Sequence, residues 1–177
     1  RVIYKPHPRV AISDDAGVMR GHEQIVRLMD EAISAAPSRG HAVLMDADVL
    51  AVIQGTDLMI ADVSSVSLDH LYLRPDAPLV LSDRRTNRAR LLEDAPVAAG
   101  AHIVDQSTVG TLADDLASLL QHDELRETRH ELRDLYFDAL APGQSTVRFW
   151  QELTTAIAHH DAALRDLSRV RVVEESS

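Results

Sequence analysis

The chain has 177 residues, a formal charge of −10, 45% hydrophobic but only 3% aromatic residues, and no cysteine. The length suits one ordinary core of ~100–200 residues, and the acidity, with Lys5 as the one lysine among 18 basic residues, weighs against a nucleic-acid or anionic-membrane surface. Without cysteine there is no disulfide framework or thiol chemistry, and with neither a signal peptide nor a run near ~18–20 apolar residues the reading is a soluble, cytoplasmic protein.

A core short of aromatics must be filled by Ala, Val, Leu and Ile, which favours an α/β fold over an all-β sandwich. In chain order, "RVIYK" (1–5) reads as a strand that "PHP" halts, since proline continues neither a ladder nor a helix interior. The chain enters this strand directly from Arg1, without a methionine, and is therefore expected to be a piece of a longer protein with a preceding half. Residues 6–21 read as a loop. From Gly21 to Ala36 the positions Ile25, Leu28, Met29, Ala32 and Ile33 recur at helical spacing until "PSRG".

"HAVLMD" (41–46) predicts a second strand, "ADVLAVIQGTD" a short helix stopped at Gly55, and "LMIA" (58–61) a third strand. A helix carrying Val66, Leu68, Leu71 and Leu73 starts at Ser64 or its neighbour. "APLVLS" (77–82) and "AHIVD" (101–105) are a fourth and a fifth strand, separated by "DRRTNRARLLEDAP". Strands alternating with helices predict one parallel sheet with right-handed crossovers. After Thr108 the pattern is helical: "TVGTLADDLASLLQ", then "DELRETRHELRDLYFDAL", a break at "APGQ" (141–144), and a long helix from Ser145 into the 160s with "VRVVEESS" as a frayed tail. The expected organisation is a Rossmann-like, nucleotide-binding domain over 1–122 followed by C-terminal helices over 123–177.

Ligands of a parallel sheet gather at the carboxyl ends of its strands. Two such ends carry chemistry here, Pro6-His7-Pro8 after strand one and Asp62-Val63-Ser64-Ser65 after strand three. The second offers free backbone N–H groups, about half a positive charge from the helix dipole and two hydroxyls, a combination suited to phosphate. The first offers an imidazole on a stiff loop. Each has a plainer reading, Ser-Ser as a helix cap and Pro-His-Pro as a turn, and Asp69 reads equally as a surface residue or a support for the loop.

"YKPHPR", followed by "TDLMIADVSSVSLDHLYLRPDAPLVLS" and then "YFDALAPGQSTVRFWQEL", resembles the C-terminal half of the CDP-glycerol glycerophosphotransferases, the teichoic-acid primases and polymerases. The resemblance covers roughly residues 1–157 and rests on motifs in order: strand–His–Pro, Asp-x-Ser-Ser with an acid four residues on, and Gly-x-x-x-x-Arg, which falls on Gly143 and Arg148. Val63 stands where that family has tyrosine, and Arg74-Pro75 with two further residues replaces a shorter Lys-Pro turn.

The resemblance implies the donor-binding half of a GT-B transferase, whose other half would bring a cell-wall polymer or lipid-linked acceptor. CMP-sugar transferases use similar elements, so either donor is implied. By the same resemblance His7, Ser64, Ser65 and Arg148 would hold the donor phosphates, His7 also as acid or electrostatic partner, with Pro8, Asp62, Asp69 and Gly143 in support. Asp62, ending a strand, is a poor catalytic base, so the base is expected from the other half and the fragment alone to bind without turnover. A decayed half serving as a scaffold is the competing reading, kept open by Val63 and the acidic surface. Any attachment to the inner face of the plasma membrane would come through the other half.

Arg84, Arg85, Arg88 and Arg90 read either as a grip on a polyanion or as a solvated loop paired with Glu93 and Asp94. Arg148 reads equally as a partner for the carboxylates of 114–138. The nine histidines show no HxH or HExxH grouping, and Asp14-Asp15 and Asp114-Asp115 read as solvated charge, so neither a metal nor a cofactor is expected. No GxGxxG or GxxxxGK[ST] is present. By the resemblance the last helices pack across the cleft onto the other half, which would leave Trp150, Phe149 and Leu153 as an exposed apolar face open to a homodimer; the plainer reading is that they cover the sheet.

Overall fold

The computed structural model describes residues 1–84, 87–141 and 143–174, without the side chains of Ala11 and of 166–174. Arg85, Pro142 and the end of the expected tail, 175–177, lie outside the described residues.

The fold is α/β. There are five strands, each paired in parallel with its neighbours: β1 (Ile3–Tyr4), β2 (Ala42–Val43), β3 (Met59–Asp62), β4 (Leu79–Ser82) and β5 (His102–Val104). They form two sheets where the sequence predicts one, β1–β2 and β3–β4–β5. The first is cut short because Pro6, two residues after the end of β1, has no amide to extend the ladder. Leu79, Val80 and Leu81 are all buried, as befits a central strand covered on both faces.

Helix α1 (Ala16–Ala35) starts earlier than the apolar spacing predicts, inside the expected loop. Its start is set by Asp15, whose Oδ1 accepts from the amides of Gly17 (2.7 Å) and Val18 (3.2 Å). Pro8–Ile12 forms a 3₁₀ turn in the same stretch. Helix α2 (Val49–Gln54) is capped by Asp48 and stops at Gly55, α3 spans Val66–Leu73, and α4 (Arg88–Asp94) occupies part of the arginine-rich segment. Asn87 caps α4, its Oδ1 accepting from Arg90 N at 3.1 Å. The helical half comprises α5 (Leu112–Leu119), α6 (Arg126–Phe137) and α7 (Gln144–Glu174). The backbone of α7 runs on to Glu174, so the helix continues through the first part of the expected frayed tail.

The main core joins β4 to α3, α4, the 3₁₀ segment Pro96–Gly100 and α6, through Leu71, Leu79, Leu81, Leu91, Val97, Ala98 and Ala101. Helix α6 is fastened to it by one buried cation. Arg129 donates from Nε to Pro75 O (2.9 Å) and from Nη1 to Gly100 O (3.2 Å), and pairs with Asp123. A buried guanidinium is tolerable only with such complete partnering. The approach needs Gly100, because a Cβ there would lie 2.7 Å from Arg129 Cγ.

Candidate functional site

Because β3, β4 and β5 are parallel and adjacent, their carboxyl ends share one edge. Along it the chain places Asp62-Val63-Ser64-Ser65, then Ser82-Asp83-Arg84, then Asp105-Gln106-Ser107-Thr108, with neighbouring strands ~4.8 Å apart. Val63 packs against the core, which fixes the loop from below and leaves Asp62, Ser64 and Ser65 exposed.

The two serines differ. Ser64 Oγ donates to Asp62 Oδ1 at 2.7 Å. Ser65 is the N-cap of α3, yet its backbone is already helical (φ −61°, ψ −24°) and its hydroxyl makes no capping bond. The backbone closes the turn instead, Leu68 N donating to Ser65 O at 2.9 Å and Ser67 N to Ser64 O at 3.2 Å. The plainer reading, a serine pair used up as caps, therefore leaves Ser65's hydroxyl unaccounted for. It stands at a helix N-terminus, where a hydroxyl and unpaired amides together favour an anion. Asp62 opposes this, and Asp69, half-buried in the first turn of α3, adds a second negative charge at the same end.

His7 is exposed and caps the 3₁₀ turn that begins at Pro8, its Nδ1 accepting from Arg9 N at 3.1 Å, which engages one of its two ring nitrogens. No hydrogen bond or ion pair joins His7 to Ser64, Ser65 or Arg148 among the described residues.

Arg148 sits elsewhere. It pairs with Asp138 and lines a cavity of about 480 Å³ with Tyr72, Tyr136, Phe137, Leu140 and Ser145. Tyr72 lies at the carboxyl-terminal end of α3, so this cavity is about 10 Å along the helix from Ser65. Gly143, with φ +85°, occupies the left-handed region that favours glycine and turns the chain into α7. A second cavity of about 410 Å³ lies at the amino ends of β3 and β4, lined by Asp57, Arg74, Asp76 and Asp123 among others. Neither cavity is lined by His7, Ser64 or Ser65.

Of the arginine group, Arg84 is exposed at the carboxyl end of β4, and Arg88 and Arg90 lie on α4, where Arg90 pairs with Asp94 at 3.6 Å. The described residues hold no group of three or more His, Asp or Glu side chains placed to share a metal ion. No described helix is long and apolar enough to cross a membrane.

Three features escape the sequence reading. Asp105 Oδ1 accepts from Ser107 N (2.7 Å), Ser107 Oγ (2.6 Å) and Thr108 N (3.2 Å), and these bonds hold its carboxyl below the usual range. The Asp-x-Ser-Thr spacing could have announced that turn. Arg129 looks in sequence like one more charge on a solvated helix. His70 is buried with no hydrogen-bond partner for either ring nitrogen among the described residues, and desolvation, then Arg129 and Arg74, lowers its pKa to about 4. Only the neutral imidazole suits that place. No sequence signal marks it, because its burial depends on α6 closing over α3.

Compared with protein-family models, with curated proteins and with solved structures, the chain matches none.

Proposed function

We propose that this chain is the nucleotide-donor-binding half of a GT-B-type transferase that moves glycerol phosphate, or a related polyol phosphate, from CDP-glycerol to a cell-wall polymer or lipid-linked acceptor held by another domain. The observation that carries the reading is the unused hydroxyl of Ser65 at the start of α3, on the carboxyl edge of a parallel sheet. The motif order stated above adds the donor class. Transfer from CDP-glycerol breaks a phosphoanhydride and leaves CMP, so negative charge grows on the departing phosphate. Donors already aimed at it stabilise the transition state more than the ground state. In this reading Ser65 and the first amides of α3 receive the phosphates, Ser64 turns from Asp62 to join them, and His7 contributes Nε2 from the β1 loop. Arg148, paired with Asp138, is outside the minimal set.

Calorimetry with CDP-glycerol, CMP and an unrelated nucleoside triphosphate tests this. The expected result is binding of the two cytidine ligands, weakened about tenfold or more by Ser65→Ala. Indifference to all three would remove the reading. A scaffold role is favoured by one observation, the occupation of Ser64 by the Asp62 carboxylate. That role predicts no response to any of the ligands.

A further inference from the structure

We propose that the cavity between α3, α6 and the start of α7 binds a free aromatic α-amino acid, its ring among Tyr72, Tyr136 and Phe137 and its two charges on Arg148 and Asp138. This is a second site, separate from the helix start at Ser65, which does not line it. At about 480 Å³ the cavity falls within the usual range of small-molecule sites, ~300–1,000 Å³.

Aromatic residues are concentrated here. The chain holds one Trp, three Tyr and two Phe, and three of these, Tyr72, Tyr136 and Phe137, line this one cavity. The rings of Tyr72 and Phe137 lie 4.9 Å apart between centroids, tilted by 58°, and those of Tyr136 and Phe137 lie 6.3 Å apart. Such a cluster suits one more ring, because aromatic faces and edges carry opposite partial charge. Its walls are also held in place. Arg133 lies over the Tyr72 ring at 5.5 Å and donates from Nε to Tyr72 O (3.3 Å) and from Nη2 to Leu140 O (3.0 Å), so one guanidinium ties the end of α3 to the loop after α6. A cavity fixed before binding loses less freedom when it is filled.

Beside these rings stand Arg148, Asp138 and Ser145. Asp138 takes left-handed backbone (φ 56°) at the end of α6, and its carboxylate pairs with Arg148. The two side chains are 68% and 53% exposed, so a solute can reach both, and an exposed pair of this kind contributes little that binding would forfeit. One cation beside one anion suits neither a plain anion nor a plain cation, since either would meet a like charge. An α-amino acid answers both. Its carboxylate accepts from Arg148 and from Ser145, three residues earlier on the same side of α7, while its ammonium donates to Asp138. For a ligand of ~12 non-hydrogen atoms in an open cavity, the dissociation constant is on the order of 1 mM.

Backbone amide resonances of the 177-residue chain, titrated with L-phenylalanine, test it. Tyr72, Phe137 and Arg148 should move and saturate with that constant. Binding should be about tenfold weaker or worse for L-leucine, which lacks the ring, for phenethylamine, which lacks the carboxylate, and for 3-phenylpropionate, which lacks the ammonium. Arg148→Met should weaken phenylalanine about tenfold and leave phenethylamine unchanged. Asp138→Asn, which keeps a residue that tolerates left-handed backbone, should weaken phenylalanine and leave 3-phenylpropionate unchanged. Ser65→Ala should change nothing here, which separates this site from the donor site. No movement at about 10 mM phenylalanine, an equal response to all four compounds, or loss of binding with Ser65→Ala would overturn the proposal.

Discussion

The two sheets are made of similar residues and hold them differently. In β3–β4–β5 the first three residues of the central strand, Leu79, Val80 and Leu81, are buried, whereas β1–β2 has two residues per strand, all half-exposed. Ser64 and Ser65 thus stand on a loop fixed by the main core through Val63. His7 hangs from the smaller sheet, steadied nearby by the Tyr4 hydroxyl on His22 Nδ1 (2.9 Å) and by Lys5 donating to Met45 O (3.0 Å). The difference teaches that the two motifs of the proposed site rest on unequal supports, the helix start on the main core and the imidazole on the less buried sheet.

The largest test of that contrast is the fastening of α6. Arg129→Ala leaves Asp123 unpaired and opens a void against Gly100, and is expected to cost about 3–5 kcal/mol in urea unfolding. Next, Leu81→Ala should cost about 3 kcal/mol and Val43→Ala less than about 1 kcal/mol, by the same measurement. Equal costs would abolish the distinction between the sheets.

The "APLVLS" run announced β4 because continuous apolar residues suit a strand buried on both faces. The start of α1 was missed because Gly17 and Gly21 obscure the period, while the Asp15 cap that fixes it is one carboxylate among many. The division into two sheets was also missed, since pairing between strands is not a local property. At the site, the Ser-Ser loop was legible as a strand end opening into a helix. Its division of labour was not, because whether a serine caps its helix depends on a backbone angle that neighbouring residue types do not set. Arg129 and His70 were illegible, since a polar residue enters the core only when tertiary packing supplies or denies its partners.

His70 sharpens the comparison through pH. Its unfolded pKa is near 6.5 and its folded value about 4, so the unfolded chain binds the extra proton between them. Stability is therefore full above about pH 6.5 and falls as the pH drops, by about 3 kcal/mol between pH 7.5 and 4. His70→Leu should flatten that part of the profile. Asp76, held below the usual carboxylate range by hydrogen bonds from His130 and Arg126, loses those contacts in the same direction at still lower pH. The smallest effect concerns the site itself. Asp62→Ala removes both the charge and the acceptor that holds Ser64, so phosphate-bearing ligands should bind about three- to tenfold more tightly by calorimetry.

Backbone amide resonances followed during a titration with CDP-glycerol test the central claim most directly. The account predicts that Ser64, Ser65 and Val66 move first and furthest, with the His7 ring following in the same saturation curve. Movement confined to Tyr72, Phe137 and Arg148 at the other end of α3, or no movement at all, would contradict it.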